Sequence, residues 1–177
     1  GEDDYVDRGD PPGLRMDGDM SVECRVRADI SGKVERDREN ENGNWLLIGD
    51  ASSLSVHRNW NLRIDTYNDL RFEWGNDQDY TQLTREADFL DGRWHHVAAI
   101  AESPERVYLY VDGEIFARSE MALPITATEG GAFQIGGWFA GVLPGAIDEV
   151  RVYDRAISSA EVREHARVAE PRPALTL

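Results

Sequence analysis

Apolar and polar residues alternate along much of the chain, in short runs separated by Gly, Pro, Asn and Asp. In the run from Ser21 to Ala28, for example, Val22, Cys24 and Val26 occupy every second position. A period of two is typical of a strand with one face buried, and many such runs predict an all-β sandwich or barrel. The predicted strands cover residues 21–28, 45–49, 54–57, 60–67, 70–74, 80–83, 94–101, 106–111, 114–118, 133–136 and 146–153.

Two pairs of these runs predict hairpins. Asn68-Asp69 and Asp112-Gly113 each separate two strand-like runs. These residue types tolerate the left-handed backbone that a two-residue hairpin loop requires. The strand before Asp112 is apolar on both faces, which predicts a position inside a sheet rather than at its edge.

One segment near the C-terminus predicts a helix. Ser158 and Glu161 have the spacing of a capping box, and Ile157 and Val162 that of a hydrophobic staple. Together they predict a short helix near 159–167. No internal repeat or linker divides the sequence, so we expect a single domain over residues 1–177.

The composition limits the kinds of partner that we expect for the chain. With 34 Asp and Glu against 19 Lys and Arg, the net charge is -15. Such a surface repels phosphate, so we expect no nucleic-acid partner. No apolar run approaches the roughly 18 residues of a membrane span, so no transmembrane segment is expected. Cys24 is the only cysteine and is predicted to be a small buried hydrophobe.

An ordered set of motifs runs through the chain, including Asp91–Ala98 (DGRWHHVA), Val107–Gly113 (VYLYVDG) and Gly145–Tyr153 (GAIDEVRVY). Their order and spacing resemble the laminin-G-like members of the concanavalin A-like lectin/glucanase superfamily. The resemblance implies a two-sheet antiparallel jelly-roll sandwich with one short C-terminal helix. Arg25 stands where the family commonly carries Trp, and the family's usual first strand is missing. Residues 174–177 resemble that strand, and we hypothesise that they fill its position in the same molecule or a neighbouring one.

A calcium site is one expectation. Asp148 shares alternation parity with Val150 and Val152, which predicts a carboxylate on the core side of its strand. Such a carboxylate must be paired or bound to metal, and Ca²⁺ prefers oxygen ligands from several segments. The resemblance implies a structural calcium here, with Asp3 or Asp4 as partners. The alternative is that Asp148 accepts hydrogen bonds from the backbone or an arginine at the sheet rim.

Carbohydrate recognition is the second expectation, because sugars bind to exposed aromatic rings flanked by planar polar groups. Trp60, beside two asparagines, and Trp138 with Phe139, in a Gly-rich loop, are the predicted platforms. Arg63 and Asp65 are the predicted hydrogen-bonding partners. The alternative for these two is a solvated sheet face whose charges pair across strands. Trp45 and Trp94 are expected in the core.

Catalysis is not expected. The Glu-x-Asp-x-x-Glu string of the superfamily's retaining glucanases is absent from the sequence, and the pair of Glu73 and Asp65 is marked only by a predicted proximity. The sequence therefore predicts a non-catalytic, lectin-like module of a larger secreted or envelope protein, of bacterial type, whose partner is a glycan or polysaccharide. A module that binds a polypeptide is the first alternative, and a diverged glycan hydrolase or lyase is the second.

Overall fold

The computed structural model describes residues 5–29, 45–50, 59–65, 67–75, 79–129, 131–138 and 141–167, with 29, 50, 138, 141 and 142 described by their backbone alone. The predicted strand at 54–57 and the tail at 174–177 lie outside these ranges. The described strands are β1 Val6–Asp7, β2 Met20–Asp29, β3 Trp45–Asp50, β4 Trp60–Ile64, β5 Asp69–Gly75, β6 Tyr80–Glu86, β7 Asp91–Glu102, β8 Arg106–Val111, β9 Glu114–Glu120, β10 Phe133–Ile135, β11 Gly137–Trp138, β12 Gly141–Val142 and β13 Gly145–Tyr153. A 3-10 turn covers Pro12–Leu14, and helix α1 covers Ser159–Arg167.

The strands form two main antiparallel sheets. One has six strands in the order β1-β10-β3-β4-β5-β6, and the other has five in the order β13-β2-β7-β8-β9. A small third pair joins β11 to β12. The predicted jelly-roll sandwich is therefore confirmed, including the interior position of β8.

The core lies between the two sheets, because every second residue of the facing strands is apolar. Trp60, Phe72 and Trp74 from the six-stranded sheet pack against residues such as Val22 and Leu109 from the five-stranded sheet. Cys24 is fully buried among them, and burial raises the pKa of its thiol, so it is the predicted core hydrophobe. This arrangement leaves each sheet with one outer face directed away from the core.

The two predicted hairpins have different loops. Asp112 and Gly113 have φ of 50° and 83° and form the predicted two-residue turn between β8 and β9. Asn68 also has the predicted positive φ, 62°, but β4 ends at Ile64, so that connection is longer than predicted. The reason is the Asp65 carboxylate, which accepts the N–H groups of Tyr67 and Asp69 and closes a wider turn.

Helix α1 begins as predicted. The Glu161 N–H donates to the Ser158 hydroxyl over 3.2 Å, and the Ser158 N–H donates to the Glu161 carboxylate over 2.8 Å. Ile157 and Val162 are buried with residues of β7 and β8, on the outer face of the five-stranded sheet. The helix therefore covers this face.

Glu23 of β2 lies under the helix, and its carboxylate is fully buried. His96 Nε2 lies 3.3 Å away, His165 Nδ1 2.9 Å, Arg151 Nη1 3.1 Å and the Tyr153 hydroxyl 3.2 Å. Burial alone would raise the pKa of the Glu23 carboxyl, but hydrogen bonds and charges from His96 and His165 outweigh it and lower the pKa from 4.5 to about 2. The carboxylate thus joins β2, β7, β13 and α1.

Arg25 lies on the same face, with 6% of its surface exposed. Its guanidinium donates to the Ala166 carbonyl over 2.9 Å, at the C-terminal end of α1. A cation at this end satisfies a helix carbonyl and matches the negative end of the helix dipole. The residue that departs from the family pattern therefore anchors the helix.

Candidate functional site

The outer face of the six-stranded sheet is polar across three neighbouring strands. Two rows of polar residues cross β4, β5 and β6. One row is Asn61, Glu73 and Gln82, and the other is Arg63, Arg71 and Thr84. All of these alternate with core residues, so they point away from the core. We call this surface the polar face; its members are Asn61, Arg63, Arg71, Glu73, Gln82 and Thr84.

The centre of the polar face is a buried ion pair. Arg63 Nη2 lies 2.7 Å from Glu73 Oε2, and the two side chains are 7% and 1% exposed. The Asn61 amide donates to the same carboxylate oxygen over 3.4 Å. Arg63, a predicted ligand-binding residue, is therefore paired across strands and forms the floor of this surface.

Asp65 positions another member of the face. The residue is 1% exposed, and one carboxylate oxygen holds the β4–β5 loop as described above. The other oxygen accepts a hydrogen bond from the Arg71 guanidinium. Both oxygens of Asp65 are therefore engaged, one by the loop and one by Arg71. Contact of Asp65 with a ligand stays a prediction.

Asn61 Oδ1, Arg71 Nε and Thr84 Oγ1 are buried polar atoms of this face that have no hydrogen-bond partner among the described residues. Arg71 and Thr84 are direct cross-strand neighbours in the register of β5 and β6. Buried polar atoms in proteins are normally satisfied, and an unsatisfied one costs about 1–3 kcal/mol. These atoms are enclosed within the face, and a hydrogen-bonding group that reached them would remove this cost.

An aromatic ring stands at the edge of the same surface. β6 is the edge strand, and Tyr80 at its start is 58% exposed on the same side as Gln82, which is also exposed. Sequence reasoning missed Tyr80, Gln82 and Thr84. Their positions along β6 could have indicated this face, because Tyr80, Gln82 and Thr84 are every second residue and Leu83, between them, points to the core.

The predicted aromatic platforms are not confirmed. Trp60 was expected to be exposed, and this is wrong: it is 1% exposed, with its ring nitrogen donating to the Leu14 carbonyl and its ring 6.0 Å from that of Phe133. Phe139 and the Trp138 side chain lie outside the described residues. Trp94, expected in the core, is half-buried on the outer face of the five-stranded sheet, with Arg27 over its ring.

The predicted direction of Asp148 is also wrong. A bulge lies between Asp148 and Arg151, where Glu149 has φ of 53°, and it reverses the alternation of β13. Asp148 therefore pairs with Arg25 on the outer face, while Val150 packs against the core. The Asp148 carboxylate accepts the N–H of Glu149 over 2.8 Å, which matches the backbone-bonded alternative.

The fit of this position to calcium is poor in the described ranges. They contain no group of three or more His, Cys, Asp or Glu side chains that could hold a metal ion. Ca²⁺ takes six to eight oxygens, whereas Asp148 is one half-buried carboxylate. Asp3 and Asp4 lie outside the described residues, and β1, which follows them, belongs to the other sheet. Because two of the three predicted ligands lie outside the described residues, the calcium site stays a prediction.

The two carboxylates considered for catalysis are separated along the sheet. The Asp65 carboxylate accepts the N–H of Asp69, so it lies at the beginning of β5. Glu73 follows Asp69 by four residues, which corresponds to about 13 Å along an extended strand. Retaining hydrolysis needs two carboxyl groups about 5 Å apart. Glu73 and Asp65 instead form separate ion pairs with Arg63 and Arg71.

Two packed antiparallel sheets, one with a helix on its outer face and the other with a polar outer face, define a jelly-roll sandwich. The chain belongs to the concanavalin A-like lectin/glucanases superfamily, because the Laminin_G_3 family model of that description matches residues 1–163. No curated protein sequence matches the chain.

Several solved structures share the fold. The binding domain of Paraclostridial Mosquitocidal Protein 1 has a TM-score of 0.71 at 11% identity over 94% of this chain. Domain 4 of AbnA, an extracellular GH43 arabinanase from Geobacillus stearothermophilus, has a TM-score of 0.68 at 17% sequence identity over 92% of this chain. A SAP-like pentraxin from Limulus polyphemus has a TM-score of 0.59 at 16% sequence identity over 90% of this chain. The chain spans 41% of the first structure, 72% of the second and 75% of the third.

Helices that could cross a membrane are not found in the described ranges: none combines the necessary length with sufficient apolar character.

Proposed function

We propose that the chain is a non-catalytic carbohydrate-binding module of a larger extracellular or cell-envelope protein, and that the polar face with Tyr80 contacts the glycan. The observation that carries the proposal is the set of three buried polar atoms without described partners, on a surface with an exposed aromatic ring at its edge. Sugar hydroxyls both donate and accept, so one ligand class can satisfy Asn61 Oδ1, Thr84 Oγ1 and the Arg71 N–H together.

The rigidity of this surface supports the proposal. Arg63 and Glu73 fix the floor, and Asp65 holds the Arg71 side chain, so the polar groups are ordered before any ligand arrives. A preorganised site loses less conformational entropy when it binds. Tyr80 adds an apolar ring face with few rotatable bonds, which suits the apolar side of a pyranose.

Several solved structures with the same fold are binding domains, which supports the proposed function. Domain 4 of AbnA was solved in complex with arabinotriose, and the similar structures from Paraclostridial Mosquitocidal Protein 1 and Botulinum Neurotoxin serotype G are named as binding domains. At 11–17% identity these neighbours show the fold alone, and the residues of the polar face carry the assignment to a glycan.

A glycan array followed by titration calorimetry tests the proposal. We expect the wild-type chain to bind at least one glycan without releasing reducing ends. Tyr80→Ala should weaken that binding about tenfold, through loss of ring contact. Thr84→Val should weaken it about fivefold, because it replaces the hydroxyl with a methyl of similar size.

Matched controls lie on the same strands. Thr81→Val makes the same change on β6 at a position that faces the other way, and Tyr67→Ala removes a 60% exposed tyrosine at the opposite end of β5. Both should bind as the wild type does. A wild-type chain that binds no glycan overturns the proposal in favour of a polypeptide partner, and measurable turnover revives a hydrolase or lyase.

A further inference from the structure

A small cavity lies at the end of the sandwich where β4 and β10 begin. Its volume is about 20 Å³, which is room for one water molecule or one hydroxyl group. We call it the rim pocket; Asp10, Leu14, Arg15, Trp60, Thr128 and Phe133 line it. None of these residues belongs to the polar face.

The walls of the rim pocket are held together by Asn59. Its amide oxygen accepts the Met16 N–H over 2.6 Å, and its amide nitrogen donates to the carbonyls of Met16 and Thr126 over 2.8 and 2.6 Å. The Trp60 ring is fixed by its bond to Leu14 and its edge contact with Phe133. The pocket is therefore preformed, because the three segments that build it are joined by hydrogen bonds.

Thr128 lines this pocket and carries an unsatisfied hydroxyl group. The residue is 5% exposed, and its hydroxyl has no hydrogen-bond partner among the described residues. A buried hydroxyl without a partner carries an energetic cost that a bound hydroxyl can remove.

The charges at the pocket disfavour an anion. Arg15 Nε and Nη2 lie 2.8 and 2.7 Å from the Asp10 carboxylate, and Nη1 lies 3.2 Å from Glu129. Two carboxylates therefore face one guanidinium, in a protein of net charge -15. A carboxylate or phosphate group would be repelled here, whereas a neutral hydroxyl would not.

The rim pocket is at the same end of the sheet as Tyr80. The Gly75 N–H donates to the Asn59 carbonyl over 3.2 Å, and Gly75 pairs with Tyr80 in the next strand. Two strand spacings, about 10 Å, separate β4 from β6. An oligosaccharide that crosses β5 at this end can reach both places.

We propose that the rim pocket is a subsite for one hydroxyl-bearing arm, such as a hydroxymethyl group, of a neutral sugar, with Thr128 Oγ1 as its hydrogen-bond partner. The inference rests on the proposed carbohydrate-binding function and adds that the ligand is neutral rather than a uronate.

Calorimetry with the full chain tests this subsite, with arabinotriose, cellotriose and mannotriose as neutral probes and trigalacturonic acid as the anionic probe. We expect at least one neutral trisaccharide to bind and trigalacturonic acid to bind at least tenfold more weakly. Thr128→Val should weaken the neutral trisaccharide about fivefold, and Thr128→Ser, which keeps the hydroxyl, should restore most of the affinity.

Thr126→Val is the matched control, because its hydroxyl is also without a described partner but does not line the pocket. It should bind as the wild type does. If Thr84→Val weakens binding and Thr128→Val does not, the subsite is overturned and the carbohydrate function stands. Equal binding of trigalacturonic acid overturns the neutral class. If no saccharide binds to the wild type, the proposed function fails, and the subsite fails with it.

Discussion

The outer faces of the two sheets both carry buried charged residues, but they satisfy them differently. On the five-stranded sheet, Glu23 lies within hydrogen-bonding distance of four side chains and is covered by α1. On the six-stranded sheet, the ion pair of Arg63 and Glu73 has no such helix over it among the described residues. Buried polar atoms without a described partner occur on both faces: Asn61 Oδ1, Arg71 Nε and Thr84 Oγ1 on the six-stranded sheet, and His96 Nδ1 on the five-stranded sheet.

This difference separates a structural polar network from a candidate binding surface. The four side chains around Glu23 satisfy its buried charge within the fold, whereas a buried polar atom without a partner costs free energy on either face. A surface that keeps open donors and acceptors bears that cost unless a ligand or water removes it. The following predictions test whether the two faces differ in this way.

The largest effect is expected at Glu23. Glu23→Ala should lower the free energy of unfolding by about 3 kcal/mol, because it leaves the buried His96 side chain and its neighbours without their carboxylate. Urea denaturation followed by tryptophan fluorescence measures the change. Glu149→Ala, which removes an exposed partner of the same Arg151, should cost less than about 0.5 kcal/mol.

Thr84→Val gives the matching measurement on the polar face. It removes a buried hydroxyl without a described partner, so stability should stay within about 0.5 kcal/mol of the wild type or rise. A loss comparable to that of Glu23→Ala would show that both faces serve stability, and the contrast between them would fail.

The contribution of the Glu23 network to stability should also be lost in acid. The pKa of Glu23 is 4.5 unfolded and about 2 folded, so its contribution is complete above pH 4.5 and is lost as the pH falls towards 2. The contribution is on the order of 3 kcal/mol. Unfolding measured from pH 6 to 2 should therefore show a steeper loss in the wild type than in Glu23→Gln. Parallel curves would contradict this assignment, because other acids titrate equally in both proteins.

Arg25→Ala should have a smaller effect, about 2 kcal/mol, since it removes one charged hydrogen bond to the end of α1. Amide hydrogen exchange should increase first in residues 159–167. Arg27→Ala, on the same strand and face but exposed, is the control and should leave α1 protected. Loss of protection in both variants would mean that the general charge of β2 holds the helix, rather than the Arg25 bond.

The smallest effect is expected at Asp148. Its carboxylate faces outward and accepts a neighbouring N–H, so Asp148→Asn should cost less than about 0.5 kcal/mol. EDTA should move the melting midpoint by less than about 1 °C. A calcium-dependent rise of more than about 5 °C that Asp148→Asn abolishes would restore the predicted metal site.

The sequence predicted the features that depend on neighbouring residues. Ser158 with Glu161 began a helix, and Asp112-Gly113 formed a hairpin, because these signals act over two to four positions. The alternation of β2 likewise predicted which of its residues enter the core.

The features that the sequence did not predict depend on distant segments or on one irregular residue. Trp60 is buried because Leu14 and Phe133, far away in the chain, pack against it. The direction of Asp148 was wrong because Glu149 adopts a positive φ, for which a glutamate gives no signal. The polar face needs the register of three strands, and residue types do not fix that register.

The Glu23 network also affects how the protein can fold during synthesis. Glu23 leaves the ribosome early, whereas Arg151 and Tyr153 follow it by 128 and 130 residues. Until they arrive with α1, the growing chain lacks three of the four side chains that surround this carboxylate, and His96 is the one already present. The five-stranded sheet with its full set of Glu23 contacts can therefore form only after β13 and α1 have been synthesised.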